Sequence, residues 1–237
     1  MQLSAPVHLL KRQAKTLARQ ARIPLHQALD QIAQREGYNA WSLLAARARP
    51  SNLGERLLGQ LSQGELVLLG ARPGQGKTLL GLELTVAAMQ AGNRAFFFTL
   101  EYTASDLADC FARINVDANT YTSQFVFDNT DAICASYIIQ QLADQPPGTL
   151  AVVDYLQLLD QKREHPNLQT QIRALKAFAQ ERSITLVFIS QIDRRFETSE
   201  QSMPTLTDVR LPNPLELGLF NKACFLNQGD LEVAATA

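Results

Sequence analysis

The sequence predicts an α/β fold in which a mostly parallel sheet is covered by helices on both faces, preceded by a small all-helical module. Two observations support this prediction. Short apolar runs alternate with helical patterns from about residue 60 onward, whereas the first 46 residues show only helical spacing. Alternating strands and helices are typical of parallel sheets, because their crossover connections place helices over both faces. The chain has 237 residues, enough for one such domain and a small appendage.

The N-terminal region has the pattern of a small helical module. Apolar residues recur at helical intervals in two segments, and Gly37 follows the second one where a left-handed cap would end it. Pro24 suits the first turn of the second helix, and Trp41 begins a third apolar turn. We expect three short helices around Trp41, in a module spanning residues 1–49 that precedes a domain spanning residues 50–237.

The charges are unevenly distributed along the chain. The whole sequence has 22 Lys and Arg against 23 Asp and Glu, but basic residues dominate the first 50 positions and the remainder is net acidic. Such asymmetry suggests a basic appendage that meets nucleic acid. A solvated helix face explains the same charges equally well.

Strand and helix patterns alternate after a predicted linker at residues 47–56. Each predicted strand is four to six residues long, whereas the helical patterns are longer. We predict strands at residues 65–69, 95–99, 124–127, 150–153, 185–190 and 223–226, and helices at residues 77–90, 105–115, 131–143 and 168–182.

The strongest chemical signal lies between the first predicted strand and the first helix of this series. Two glycines there allow backbone N–H groups to turn toward phosphates, and the following helix adds the positive end of its dipole. The lysine would contact the β- and γ-phosphates of ATP, and the threonine would bind Mg²⁺. A glycine turn that merely opens a helix is the alternative. The segment is a relaxed phosphate-binding loop, with alanine in place of the first glycine, formed by Ala71, Arg72, Pro73, Gly74, Gln75, Gly76, Lys77 and Thr78.

Three other predicted strands end near polar side chains that suit nucleotide chemistry. Asp154 follows an apolar strand, where a carboxylate can hold magnesium through its water shell. Glu101 lies just beyond another strand, where it could accept a proton from water attacking the γ-phosphate. Gln191 ends a third strand, and its amide could sense the γ-phosphate. Many α/β strands end in Asp, and a surface glutamate explains Glu101 equally well.

Taken in order, these segments resemble the ATPase domain of DnaB-type replicative helicases, a branch of the RecA-like P-loop NTPases. The Asp-Tyr-Leu-Gln and Pro-Thr-Leu-Thr-Asp pieces are the most specific to this branch. The matches cover about residues 60–227 and lie at residues 70–78, 98–101, 153–158, 189–191 with Arg194, and 204–210.

The resemblance implies a role for each matched residue. Lys77 and Thr78 would hold the phosphates and magnesium, and Asp154 would be the Walker B carboxylate. Glu101 would be the catalytic base, and Gln191 would couple the γ-phosphate to a DNA-facing loop. The resemblance also implies ATP and Mg²⁺ as cofactors, single-stranded DNA as a partner, and a homo-oligomer with ATP at the subunit interfaces.

The sequence departs from this family in two places. The helicases have a large N-terminal domain without a counterpart here, and basic residues follow their last matched strand and reach the next subunit's nucleotide. Here residues 227–230 follow that strand, and no Lys or Arg follows Lys222. ATP binding is therefore better supported than hydrolysis, and hydrolysis better than unwinding. Arg194, Arg195 and Arg210 are candidates for the missing arginine finger.

Three functions remain open from the sequence. The first is a DnaB-like ATPase acting on single-stranded DNA, the second is an ATP-gated binding or regulatory module with little hydrolysis, and the third is an adaptor for another ATPase. No apolar run is long enough to cross a bilayer, and the start lacks the charge order of a signal peptide, so we expect a cytoplasmic protein without membrane contact. The cysteines form no CxxC pair and are predicted to be buried, namely Cys110, Cys134 and Cys224.

Overall fold

The computed structural model describes residues 4–5, 7–41, 44, 53–160, 165–199, 201–211 and 213–236. The chain divides into two compact units, Met1–Asn52 and Leu53–Ala237. Residues 45–52, which include the predicted domain boundary, lie outside the described part of the chain. The assignment of two independent domains therefore stays a prediction.

The described part of the first unit includes two helices, α1 (Val7–Ala21) and α2 (Leu25–Arg35). Gly37 follows α2 with a φ of +85°, the left-handed conformation expected there. Pro24 was predicted to lie in the first turn of α2, but it immediately precedes the helix and has an extended ψ of 144°. A residue before the first turn needs no helical ψ, so proline fits there as well.

Small and branched apolar side chains form the core of the first unit. Trp41 packs against this core half-buried, and its backbone N–H donates to Asp30 Oδ1 at 2.9 Å. Residues 42–43 of the predicted third apolar turn are outside the described residues. The fully buried core comprises Leu10, Ala14, Ala28, Ile32, Ala33 and Leu44.

The second unit contains one seven-stranded sheet. Its strands are β1 (Leu66–Ala71), β2 (Ala95–Thr99), β3 (Phe125–Asp128), β4 (Leu150–Asp154), β5 (Thr185–Gln191), β6 (Lys222–Asn227) and β7 (Asp230–Ala235). Their order across the sheet is β3-β2-β4-β5-β1-β6-β7, and every pair is parallel except β6 with β7. The mostly parallel sheet predicted from the sequence is confirmed.

Among the described residues, five α-helices pack on the two faces of this sheet, which agrees with the predicted helices on both faces. Alternate side chains of the central strands enter one apolar core with α3 (Leu53–Leu58), α4 (Lys77–Gln90) and α5 (Ala104–Arg113). The other side chains enter a second core with α6 (Ala135–Leu142) and α7 (Leu168–Arg182). The predicted linker at residues 47–56 is wrong over residues 53–56, because Leu53 and Leu57 anchor α3 against α4 as buried residues.

The last strand of the sheet was not predicted. β6 and β7 form an antiparallel hairpin whose two turn residues, Gln228 and Gly229, both have positive φ, +54° and +93°. This backbone is typical of a two-residue hairpin turn that matches the twist of its strands. The sequence suggested that β6 is the last strand, but β7 follows it and pairs with it.

The three cysteines are buried and reduced, as expected. In the described part of the chain, no helix combines the length and the hydropathy that crossing a membrane requires.

Candidate nucleotide-binding site

The parallel register brings the predicted site residues to one edge of the sheet. Ala71 at the end of β1 pairs with Gln191 on β5, and Asp154 on β4 pairs with Ile189. Thr99 at the end of β2 pairs with Asp154. Because β5 lies between β1 and β4, Gln191 stands between the glycine loop and Asp154. Ligands of open α/β sheets bind beyond the carboxyl ends of the strands, which is where this set lies.

The glycine loop between β1 and α4 exposes backbone donors. Gly76 immediately precedes α4 with a φ of +91°, and Gly74 has a φ of +78°. A side chain at Gly74 would meet no described atom within 4 Å, so glycine is required there by the left-handed backbone rather than by crowding. No described side chain caps the N-terminus of α4, whose first N–H groups therefore remain available to an anion.

Two side chains of the loop fasten it to neighbouring segments. The Arg72 guanidinium donates to Ile192 O at 2.8 Å and to Glu197 Oε1 at 2.5 and 3.0 Å, and its side chain is only 12% exposed. Gln75 Oε1 accepts from the Gln228 N–H at 2.9 Å. Although both residues belong to the predicted phosphate-binding loop, their side chains hold its shape by contacts with the protein.

Asp154 and Thr78 form the polar centre of the site. Thr78 Oγ1 donates to Asp154 Oδ2 at 2.7 Å, and the Asp154 side chain is completely buried. Its other oxygen, Oδ1, is also buried and has no hydrogen-bond partner among the described residues. A buried carboxylate oxygen without a partner is costly, so this atom is suited to a metal ion or to a metal-bound water.

The pKa of Asp154 reflects its burial and the groups around it. Burial raises the pKa of Asp154 to about 6, Lys77 and the Thr78 hydrogen bond oppose this increase, and the charge of Glu101 adds to it.

Among the described residues, no three His, Cys, Asp or Glu side chains form a metal-binding group. A magnesium ion here would be bound by a hydroxyl, substrate phosphates and waters, with the carboxylate holding one of the waters, a set of partners that suits Mg²⁺.

The remaining predicted residues flank this centre. The Glu101 side chain is exposed, and its backbone N–H donates to Thr99 Oγ1 at 3.0 Å. Gln191 is half-buried, and its carbonyl oxygen accepts from the Arg210 N–H at 2.8 Å. Ile192 and Val209 form a further bridge, so the segment after Gln191 is tied to the segment that contains Arg210.

Sequence reasoning did not assign a role to Tyr102. This residue follows Glu101 and packs half-buried against the core beneath α4 and α5, where burial raises the pKa of its phenol. Its only signal in the sequence was its position next to Glu101. This packing brings together segments that are distant in the chain.

Comparisons with known proteins agree with this fold. Residues 111–216, which include Asp154 and Gln191, match the family described as DnaB-like helicase C terminal domain. The replicative DNA helicase DnaB of Mycoplasma pneumoniae is 26% identical over 200 residues, which are 68% of this chain and 42% of that protein. The chain thus spans about two fifths of the length of this curated relative.

Two solved structures share the fold. One, described as an ATPase domain, superposes with a TM-score of 0.56 at 20% identity, covering 76% of each chain. A DnaB-like replicative helicase, described with its interactions with primase, superposes with a TM-score of 0.58 at 15% identity over 96% of this chain and 73% of that chain. The resemblance predicted from the sequence is confirmed: this chain has a RecA-like fold and is similar to the C-terminal ATPase domain of DnaB-like helicases.

Proposed function

We propose that the protein binds ATP with Mg²⁺ and hydrolyses it, as a DnaB-like ATPase of the helicase type that acts on single-stranded DNA. The observation that carries this proposal is the pairing of Thr78 with the buried Asp154 at the uncapped start of α4. The unpartnered Oδ1 of Asp154 supports a metal site at the same position.

The glycine loop would bind the triphosphate through its backbone N–H groups, with Lys77 contacting the β- and γ-phosphates. Thr78 and Asp154 would hold Mg²⁺, directly and through water respectively. The metal, when bound, neutralises negative charge on the phosphates. Ala71, Pro73 and the clamped side chains of Arg72 and Gln75 would maintain the shape of the loop around the ligand.

Glu101 would act as the general base for the water that attacks the γ-phosphate. Its exposed carboxylate lies in a segment fixed to Thr99, and its charge acts on Asp154, which supports a position close to the phosphates. Gln191 would respond to the γ-phosphate from the end of β5. Its contact with Arg210 supports transmission of that response to the segment that follows it.

We further propose that ATP lies between subunits of a homo-oligomer and that single-stranded DNA binds to its basic surfaces. Arg194, Arg195 and Arg210 are exposed, as a group reaching into a neighbouring subunit's site would need to be. The basic residues of the first unit offer a second surface for nucleic acid. Both assignments are proposals for this chain.

The test is the steady-state ATPase rate with and without single-stranded DNA, using Glu101→Gln as the inactive variant. Glu181→Gln on the exposed face of α7 is the matched control, since it removes the same charge far along the chain from the site. We expect DNA to stimulate the wild type and the control, and Glu101→Gln to lose at least about tenfold in rate while still binding ATP. Equal rates in all three proteins would contradict the assignment of Glu101.

A second function has one structural observation in its favour. The turn after β6, where the helicases resembled here have basic residues, is Gln228-Gly229, and it contacts the glycine loop of the same chain through Gln75. This arrangement suits an ATP-gated binding or regulatory module with little turnover. Tight ATP binding together with a slow rate that DNA does not change would favour this alternative.

A further inference from the structure

The backbone of Arg210 is held on both sides by residues at or just beyond the ends of β4 and β5. Its N–H donates to Gln191 O, at the end of β5, at 2.8 Å. Its carbonyl oxygen accepts from Gln157 Nε2, beyond the end of β4, at 2.9 Å. Because the second bond comes from a side chain, the amino-acid type at position 157 decides whether Arg210 is bound from one side or from two.

Gln157 extends from a firmly anchored backbone. It lies three residues after Asp154, in a short 3-10 helix (Leu156–Asp160) whose Leu156 and Leu159 are completely buried. The side chain is half-buried, and its Oε1 is buried without a hydrogen-bond partner among the described residues. A buried amide oxygen without a partner is costly, and an apolar side chain of the same length would avoid this cost. Stability alone therefore does not explain a glutamine at this position.

Arg210 differs from the other two candidate arginines in how its segment is attached. Val209, the residue before it, is buried and bridges the residue that follows β5. Arg194 and Arg195 lie instead in the segment that Arg72 ties to the glycine loop. The chain after β5 is thus attached to the site at two separate places, and the attachment at Arg210 is the one that includes Gln157.

We propose that Gln157 is a positioning residue, which ties the backbone of Arg210 to the strand end that carries Asp154. With the bond from Gln191 alone, Arg210 would be free to pivot about that bond, whereas two bonds from neighbouring strand ends fix it. A nucleotide bound at Asp154 would then hold Arg210 in place through β4 as well as through β5. The inference rests on the proposed function, since it concerns the same nucleotide and one of the three candidate arginines.

The inference is tested by limited trypsin digestion with and without a non-hydrolysable ATP analogue and Mg²⁺, which requires no turnover. The initial rate of cleavage after Arg210 and the rates after Arg194 and Arg195 are measured separately by mass spectrometry. The affinity for a fluorescent form of the analogue and the midpoint of urea unfolding are measured for the same proteins.

Two variants are compared with the wild type. Gln157→Met keeps the length of the side chain and removes the hydrogen bond together with the unpartnered oxygen, so the urea midpoint should not change. Gln169→Met is the matched control, because Gln169 is also half-buried and also donates from Nε2 to the chain after β5, at Glu216 Oε2.

We expect the analogue to slow cleavage of the wild type after Arg210 about three- to tenfold, because a bound ligand suppresses local opening. In Gln157→Met this effect should fall below about twofold, as the loss of one net hydrogen bond permits. The slowing of cleavage after Arg194 and Arg195 and the affinity for the analogue should stay within about twofold of the wild type. Gln169→Met should match the wild type at all three arginines.

Three results would overturn the inference. The first is an effect of the analogue at Arg210 that Gln157→Met leaves unchanged. The second is an equal loss of this effect at all three arginines, which a merely structural role of Gln157 would produce. The third is a wild type that binds the analogue without any change in cleavage after Arg210. A wild type that binds no analogue at all would instead refute the proposed function.

Discussion

Replacement of Asp154 by Asn should stabilise the protein in the absence of magnesium, although it removes a carboxylate that is proposed to hold this metal. Asp154 is completely buried, and one of its carboxylate oxygens has no hydrogen-bond partner among the described residues. Asparagine has nearly the same shape, keeps an acceptor for Thr78 Oγ1 and carries no charge. The variant therefore avoids the cost of a buried carboxylate that the wild type carries at neutral pH.

The size of this effect follows from the pKa of Asp154, which burial raises from 3.8 to about 6. Since the pKa is higher in the folded state, ionisation favours the unfolded chain, and the cost grows as the pH rises from 3.8 to about 6. At about 1.36 kcal/mol per pH unit, the full cost is about 3 kcal/mol of unfolding free energy above pH 6. At about pH 5 roughly half of that cost remains.

The assay is urea unfolding of the wild type and Asp154→Asn at about pH 5 and about pH 8 in EDTA, followed by far-UV circular dichroism. Tryptophan fluorescence is unsuitable, because Trp41 is the one tryptophan and belongs to the first unit. Asp109→Asn on the exposed side of α5 is the control, and surface substitutions of this kind change stability by less than about 0.5 kcal/mol. We expect the gain of Asp154→Asn to be about twice as large at the higher pH as at the lower.

Two outcomes would refute this reasoning. One is a variant that is no more stable than the wild type at the higher pH, which would mean that the buried carboxylate is well solvated or paired. The other is a gain that is larger at the lower pH, because the linkage of a raised carboxyl pKa permits only the opposite trend.

Two further predictions concern the segments that hold the glycine loop. Arg72→Ala removes the hydrogen bonds to Ile192 and Glu197 that restrain the segment between them. Trypsin should therefore cleave after Arg194 and Arg195 several times faster than in the wild type, and an unchanged digestion rate would show that Arg72 does not restrain this segment. Gly229→Val places a β-branched residue at a φ of +93° and should lower the unfolding free energy by about 1–2 kcal/mol, measured by the same urea titration, whereas Val at the neighbouring exposed Asp230 in β7 should have little effect.

Much of the second unit was predictable because its signals are local. The predicted helices at residues 77–90 and 168–182 have the same bounds in the structure as α4 and α7, and the predicted strand at 95–99 matches β2. The starts of both helices are marked in the sequence. Gly76 precedes α4, and Asn167, whose side chain accepts a hydrogen bond from the Thr170 N–H, precedes α7. Periodicity and end signals act within a few residues, so a single sequence is enough to show them.

The hairpin of β6 and β7 was missed for the opposite reason. β7 is a short edge strand whose residues are mostly exposed or half-buried, and it has few large apolar side chains to mark it. Its stability comes from pairing with β6 and from packing of Leu231 and Val233 against the core. Neither contribution appears in the periodicity of the segment itself.

The sequence by itself determined the chemical types and the order of the site residues: a glycine loop between a strand and a helix, followed by Glu101, Asp154 and Gln191 near strand ends. Only the tertiary structure decided that β5 lies between β1 and β4, that Thr78 donates to Asp154, and that the Arg72 side chain binds the segment after β5. The physical reason is the range of the interactions. Strand order and side-chain partners depend on contacts between distant parts of the chain, 76 positions apart for Thr78 and Asp154 and 120 for Arg72 and Ile192, which no local pattern encodes.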